Sequence, residues 1–400
     1  MKSVSFLLGS GFSVPDGIKS VGDINEFIAK LNVNDFCIWS DMTFVLLQED
    51  KRGLKSYHLN DHIFFVEFIE WYIEKIDSDF NYEKFYDFFT GFNRKDLNKT
   101  EINTFFEEFK CKVVEPLTSI DRVYSFVSRF GDYFNQLISL LLDSIKYYED
   151  TGLGNYANYT CFLNYLEHVL NKDQIINIHT LNHDLLFEHL ASKYYELSKF
   201  FTDGFSEFGS PYFGELKTNE VIYKKYKVRL KQFENSFNNS LRLFKLHGSV
   251  DTFIADISAH NYDPTRIKRD WKIGEIVKEQ LDSKKYSYLH QSSYPDILSG
   301  SLSKIDRYEE PYYENLRGHF INNLEQSTLL IIIGYGFGDI EINRIIDDHC
   351  SKFNIPVVVI NPKTIQSSFV TKLNPQCIYK SVSELTLQEW LMIYNPDSTV

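Results

Sequence analysis

Residues 327–350 read STLLIIIGYGFGDIEINRIIDDHC, and this stretch decides the fold. From Leu329 to Ile333 the run is continuously apolar and rich in isoleucine, which predicts a strand buried on both faces rather than a half-exposed one. Gly334 and Gly336 end it. Asp339 then supplies a helix-capping side chain, and the apolar residues of IEINRIIDDHC recur at threes and fours. Strand, glycine turn and helix in that order make half of a βαβ unit, whose strands run parallel.

The same pattern recurs on both sides. PVVVIN (356–361) is the next strand, with Asn361 at its end. Upstream, QIINIHT (174–180) leads into the helical DLLFEHLASKYYELSKF (184–200), LRLFKLH (241–247) is strand-like, and Val4 to Leu8 form a short apolar strand ended by Gly9. Residues 23–31 have helical spacing, and SELTLQEWLMIY (383–394) reads as a closing helix. Between about residues 40 and 150 the texture changes: HIFFVEFIEWYIEKI (62–76) and YFNQLISLLLDSIKYYED (133–150) are helical, with few strand-like runs. The prediction is an α/β fold, a Rossmann-like and mostly parallel sheet flanked by helices, formed by residues 1–35 and 155–400, with a large helical insertion over 36–154. The polar, Lys-rich stretch 217–240 and the mixed stretch 255–300 receive no element.

Composition narrows the functions. The 400 residues carry a net charge of −13, from 55 acidic and 42 basic residues, so direct nucleic-acid binding is not expected. The cysteines at 37, 111, 161, 350 and 377 are scattered with no CxxC spacing, which predicts reduced thiols, a cytoplasmic setting and no metal site. No apolar run approaches the roughly 20 residues that span a bilayer, so no membrane association is expected.

Five strand ends carry candidate chemistry. In GSGFS (9–13), Gly9 and Gly11 permit a sharp turn, and Ser10 and Ser13 stand at a loop whose N–H groups suit a pyrophosphate, although Val14 occupies the place of a third glycine. TLNHD (180–184) places Thr180, Asn182 and Asp184 where an open α/β sheet collects its ligands, or alternatively where they merely cap a helix. LHGS (246–249) places His247 before Gly248, as a base or as a simple strand closure. Gly334, Gly336 and Asn361 lie at the remaining ends. There is no GxSxG, no GxxxxGK[ST] and no kinase signature.

In this order the pieces resemble the sirtuin family. The opening glycine loop and its Gly-Ile are similar to Gly9, Ser10, Gly11, Phe12, Ser13, Gly17 and Ile18; the TQNxD stretch to Thr180, Asn182 and Asp184, with Leu181 in place of glutamine; the HG pair to His247 and Gly248; the GTS turn to Gly334, Tyr335 and Gly336; the strand-end asparagine to Asn361. The four-cysteine zinc module is missing, and Lys19, Ser20 and Val21 replace the Pro-Asp-Phe-Arg that follows Gly-Ile in deacylases. The resemblance therefore points to zinc-less bacterial sirtuin-like proteins of antiphage defence, which hydrolyse NAD+.

That resemblance implies NAD+ as substrate, cleaved to nicotinamide and ADP-ribose. It implies His247 as base, Asn182 orienting the ribose and water, Asp184 in support, and the glycine loop, Thr180, Gly248, Gly334, Gly336 and Asn361 in binding. It also implies a homo-oligomer and a HerA-type ATPase as possible partner. The alternatives are an NAD or ADP-ribose sensor, a scaffold subunit without turnover, and a protein deacylase.

Overall fold

The computed structural model describes residues 3–47, 54–95, 97–117, 122–142, 156–206, 210–217, 225–255, 265–269, 287–288, 292, 295–300, 304, 307–365 and 367–393. The chain divides into two compact units. One comprises Met1–Ser20, Asp143–Ser292 and Tyr308–Val400, the other Val21–Leu142 and Ser293–Arg307.

The first unit is built on a seven-stranded sheet. Its spatial order is Gln376–Ile378, Val357–Ile360, Ser327–Ile333, Ser3–Leu8, Ile175–Thr180, Leu241–Lys245, Phe201–Thr202, and every pairing is parallel. The predicted α/β class holds. On one face Val4, Phe6, Ile176, Ile178, Ile331 and Val358 form a continuous core with Phe162 and Leu166 of the helix Thr160–Leu170 and with Trp390. Full burial of each such side chain stabilises the fold by about 1.5–3 kcal/mol. The other face carries the helix Pro311–Glu325, whose Phe320 packs on His179 at a ring distance of 4.7 Å. Ser3–Leu8 pairs with Ile175–Thr180 on one side and with Ser327–Ile333 on the other, so the chain order reverses there. In open parallel sheets that reversal opens a ligand crevice at the carboxyl ends of the strands.

Described residues within and beside the stretches left without an element form a second sheet in the same unit. Its order is Thr252–Ala255, Thr265–Arg269, Lys225–Ser236, Tyr212–Lys217, Ser287–Tyr288, with Gly204–Phe205 also paired to Lys225–Ser236. Its small core is Leu230, Phe253, Ala255 and Ile267. The period-2 alternation of KYKVRLKQ (225–232) is the signal that its lysines obscure.

One local expectation is corrected, and two features appear that the sequence did not announce. The helical segment 184–200 is two short helices, Leu186–Lys193 and Tyr195–Ser198, because Tyr194 takes an extended conformation. The helix Pro311–Glu325, with proline in its first turn, was not anticipated. No α-helix begins at the glycine loop: Ser10–Phe12 and Val14–Asp16 are 3₁₀ turns, and Gly17 turns left-handed at φ 82°. Pro15 and Gly17 account for this, since proline suits a first turn and glycine a stop.

The second unit contains the hairpin Phe36–Ile38 with Phe44–Leu46 and the helices Val21–Ala29, Leu59–Lys75, Tyr82–Lys95, Lys99–Phe109 and Val123–Leu142. Phe64, Phe65, Phe68, Phe85, Phe89 and Phe130 are buried and meet edge-on or tilted in its interior. Arg129 clamps the buried Asp61 through Nε and Nη2 at 2.8 and 2.7 Å, and Tyr133 donates to the same carboxylate at 3.0 Å. Residues 143–150 of the expected helix 133–150 lie outside the described residues. Among the described residues no helix is long and apolar enough to cross a membrane.

Candidate active site

Register brings the strand ends level. Leu8 pairs with Thr180 and Ile333, Thr180 with Lys245, and Ile333 with Ile360. Because the strands are parallel, Gly9, Asn182, His247, Gly334 and Asn361 all emerge at one edge of the sheet, around its reversal point.

The glycine loop is pinned to the turn that follows Ile333. Gly9 N–H donates to the Ile333 carbonyl and Gly11 N–H to the Gly334 carbonyl, both at 2.9 Å. A Cβ on Gly9 would lie 2.6 Å from Tyr335 Cα, and one on Gly11 2.8 Å from Gly334 Cα. Gly334 itself has φ +63°. These glycines are therefore required by the approach of two backbones, a role beyond the approach to a ligand that the sequence suggested. Phe12 anchors the loop in the core, and Tyr159 Oη donates to its carbonyl at 2.7 Å. Gly336 is different: a Cβ there meets nothing within 4 Å, and the residue is exposed. Ser10 is also exposed.

Asn182, Ser13 and Asp184 form a chain of hydrogen bonds. The Asn182 amide donates to the Gly9 carbonyl and to Ser13 Oγ, both at 3.0 Å, and Ser13 Oγ donates to Asp184 Oδ2 at 2.8 Å. Asp184 Oδ1 accepts the Leu186 N–H at 3.0 Å and so also caps the following turn. With both amide protons used, Asn182 keeps Oδ1 as an acceptor. Thr180 Oγ1 accepts the Asn182 N–H at 3.0 Å. Thr180 thus shapes the turn.

The LHGS turn explains its own glycine. Leu246 N–H continues the ladder to the Thr180 carbonyl, Gly248 N–H closes a turn on the Lys245 carbonyl, and Gly248 adopts φ +81°. A side chain at 248 would be strained in that left-handed region. The turn presents His247 inward, only 3% exposed. Its Nε2 lies 2.8 Å from Tyr308 Oη and 3.2 Å from Asp339 Oδ2, while Tyr308 Oη donates to Asp339 Oδ2 at 3.2 Å. Asp339 Oδ1 simultaneously caps the helix Ile340–Phe353 by accepting the Ile342 N–H. Burial first, and the Asp339 carboxylate second, push the Tyr308 phenol far above its ordinary value, so it stays protonated. Tyr308 carried no signal in the sequence, and Asp339 was legible only as a cap.

Behind the turn lies a buried ionic group. Lys245 is 3.3 Å from Glu188, and Lys268 is 2.9 Å from Asp203 and 3.5 Å from Asp251. Lys245 Nζ also donates to the Asp184 carbonyl, tying the TLNHD loop to the LHGS turn. Burial alone would lower the Lys268 ammonium, but Asp203, Asp251 and Glu188 hold it well above its usual range. Burial raises the Glu188 carboxyl against the pull of both lysines. At the far end, Asn361 Oδ1 accepts the Lys363 N–H at 3.1 Å, beside a shallow depression lined by Val359, Lys363, Val370, Cys377 and Tyr379. Among the described residues no group of three or more His, Cys, Asp or Glu is placed to hold a metal ion.

No protein-family profile and no curated protein matches the chain. Among solved structures it is similar to a mutant Sir2 homologue in complex with ADP-ribose, at 10% identity over 100% of this chain and 94% of that one, with a TM-score of 0.42. A Sir2 homologue–NAD complex is similar at 9% identity over 98% and 89%, TM-score 0.40. Sir2Tm bound to a propionylated peptide is similar at 10% identity over 98% and 92%, TM-score 0.37.

Proposed function

We infer that the carboxyl edge of the parallel sheet binds NAD+ and that the protein hydrolyses its nicotinamide–ribose bond, releasing nicotinamide and ADP-ribose. The observation that carries the reading is the shared edge: the glycine loop, Asn182, His247, the Gly334 turn and Asn361 come from separate strands to one edge of the sheet. Such an edge at a chain reversal suits a dinucleotide. Exposed Ser10 and Gly336 leave room for phosphate and ribose against the loops, with Asn361 towards the adenosine end.

His247 acts as the base. As the bond from ribose C1′ to the nicotinamide nitrogen breaks, that electron pair leaves with nicotinamide, and water oxygen adds at C1′. His247 takes the water proton, directly or through a ribose hydroxyl. Asn182 Oδ1 accepts from the ribose hydroxyl or the water and holds it in line. Asp184, through Ser13, fixes Asn182.

The test is product analysis with purified protein and NAD+. Nicotinamide and ADP-ribose should appear, and His247→Ala should slow turnover by about a hundredfold or more while NAD+ affinity changes little. Bound NAD+ without nicotinamide release would indicate a sensor or scaffold. Release that requires an acylated peptide would indicate a deacylase. The same resemblance supports an antiphage, NAD-depleting role in which self-assembly and a HerA-type ATPase control activity. Size-exclusion chromatography with light scattering, alone and with such an ATPase, tests that part.

A further inference from the structure

We propose that Lys245 is the positioning residue that fixes the turn carrying Asn182 against the turn carrying His247, so that both groups meet the reacting ribose in one geometry. The role in turnover rests on the NAD-cleaving reading of the same site; the lock between the two turns does not.

The sequence places a lysine where an apolar residue belongs. In LRLFK (241–245), Leu241 and Leu243 join the core formed with Leu186, Phe187 and Leu190 of the helix Leu186–Lys193, and strand alternation puts Lys245 on that same face. Its side chain is 6% exposed. Burying an ammonium group is costly unless it is paired and hydrogen-bonded. Lys245 is both: Nζ lies 3.3 Å from Glu188 Oε1 and donates to the Asp184 carbonyl. The direction of that bond is fixed, because an ammonium group only donates and a carbonyl only accepts.

From Lys245 one set of contacts leads to each turn. Its side chain holds the backbone at Asp184, whose Oδ2 accepts from Ser13 Oγ at 2.8 Å, and Ser13 Oγ in turn accepts from the Asn182 amide at 3.0 Å. Its own carbonyl accepts the Gly248 N–H at 3.1 Å and closes the turn that presents His247. Backbone bonds join the same pieces: Leu246 N–H donates to the Thr180 carbonyl at 2.9 Å, and Val250 N–H to the His183 carbonyl at 3.0 Å. At Asp184 the side chain of Lys245 takes over from that ladder.

Glu188 does not serve Lys245 alone. Lys268, in the strand Thr265–Arg269 of the second sheet, stands 3.7 Å from the same Oε1, 2.9 Å from Asp203 and 3.5 Å from Asp251. The carboxylate that offsets Lys245 is thereby braced from the second sheet, and Asp251 belongs to the chain leaving the LHGS turn. Without Lys245 the bonds among Asn182, Ser13 and Asp184 remain, and what changes is their place relative to His247. Gly9, Gly11 and Gly334 are fixed to one another independently. Loss of Lys245 should therefore misalign the reacting groups more than it weakens NAD+ binding, and a displacement of about 1 Å can cost about a hundredfold in rate.

The experiment compares Lys245→Met, Glu188→Gln and the double variant in the full-length protein. Lys245→Met removes the bond to Asp184 and strips Glu188 of its nearer cation, so it should melt below the wild type. In Lys245→Met/Glu188→Gln the charge is balanced again and most of the melting temperature should return. Its kcat for nicotinamide release should nevertheless stay about a hundredfold below wild type, with KM within about threefold. A kcat that recovers together with the melting temperature means a purely structural lysine and overturns the assignment. Glu188→Gln alone keeps the bond to Asp184 and should lose less than about fivefold in kcat. A loss as deep as that of the double variant would move the role to Glu188 and overturn the assignment equally. Hydrogen–deuterium exchange read by mass spectrometry tests the lock without NAD+. In the double variant, peptides covering 181–186 and 246–251 should exchange about tenfold faster, while Ser3–Leu8 and Ser327–Ile333 exchange as in the wild type. Unchanged exchange in both turns overturns the proposal whatever the activity. Faster exchange in the variant of a protein whose wild type releases no nicotinamide defeats the functional reading and leaves the lock standing.

Discussion

Gly11 lies so close to Gly334 that a methyl group on Gly11 would meet Gly334 Cα at 2.8 Å. The two loops at the chain reversal are thus locked backbone to backbone, and the crevice floor depends on side chains that are not there. Gly11→Ala should destabilise the first unit by about 1–3 kcal/mol, and Gly334→Ala, at φ +63°, by at least as much. Gly336→Ala, open on all sides, is the control and should change stability by less than about 0.5 kcal/mol. Urea unfolding of the three variants gives the comparison, and equal midpoints would refute the locked-loop account.

Ser13 passes one hydrogen bond from Asn182 to Asp184 in a buried setting. Ser13→Ala leaves an acceptor on Asp184 and a donor on Asn182 short of a partner, at a cost of about 1–3 kcal/mol. Calorimetry should show a lower melting temperature, and NAD+ titration a weaker complex, because Asn182 is no longer held. Unaltered NAD+ affinity would mean that the relay serves the fold alone.

His179 is fully buried between Phe244 and Phe320, and burial holds its imidazole well below the ordinary 6.5. Burial and Lys193 lower His189 in the same direction, to about 4. Below pH 6.5 the unfolded chain therefore binds protons that the folded chain refuses, and stability falls as pH drops. Each such group adds a slope of up to about 1.4 kcal/mol per pH unit. Unfolding free energies of wild type and His179→Gln between pH 7 and 5 should diverge in slope, with the wild type steeper. Parallel lines would rule out His179 as a source of acid sensitivity.

In the second unit, Asp61 accepts from Arg129 Nε, Arg129 Nη2 and Tyr133 Oη. Asp61→Asn keeps the shape but puts an amide N–H donor where a carboxylate oxygen accepted, so that donor faces donor, and it removes the charge that Arg129 faces. The expected loss is about 2–3 kcal/mol, moderated because the Arg129 side chain is 25% exposed. Denaturant unfolding followed by tryptophan fluorescence at Trp71, which is buried in this unit, would register it.

Much of the central sheet was legible because its signals are local. STLLIIIG, PVVVIN and QIINIHT announce strands by continuous burial, their glycines and Asn361 announce ends, and alternation with helices announces parallel pairing. The second sheet was not legible, since the alternation in KYKVRLKQ is written in lysine and arginine, residues that read as solvated stretches. The helix Pro311–Glu325 was missed because its apolar positions are diluted by Asn, Arg and Glu.

By itself, the sequence determined which residue types stand at the strand ends: His247 before a glycine, Asn182 and Asp184 after Thr180, glycines at 9, 11, 334 and 336, and Asn361. Periodicity and turn chemistry act over a few residues, so they are written where they act. Only the tertiary structure decided which of these groups meet. Tyr308 reaches His247 across 61 positions of sequence and Ser13 reaches Asp184 across 171. Those meetings follow from strand register and from the need of each buried polar atom for a partner, and both are properties of the packed chain rather than of any segment.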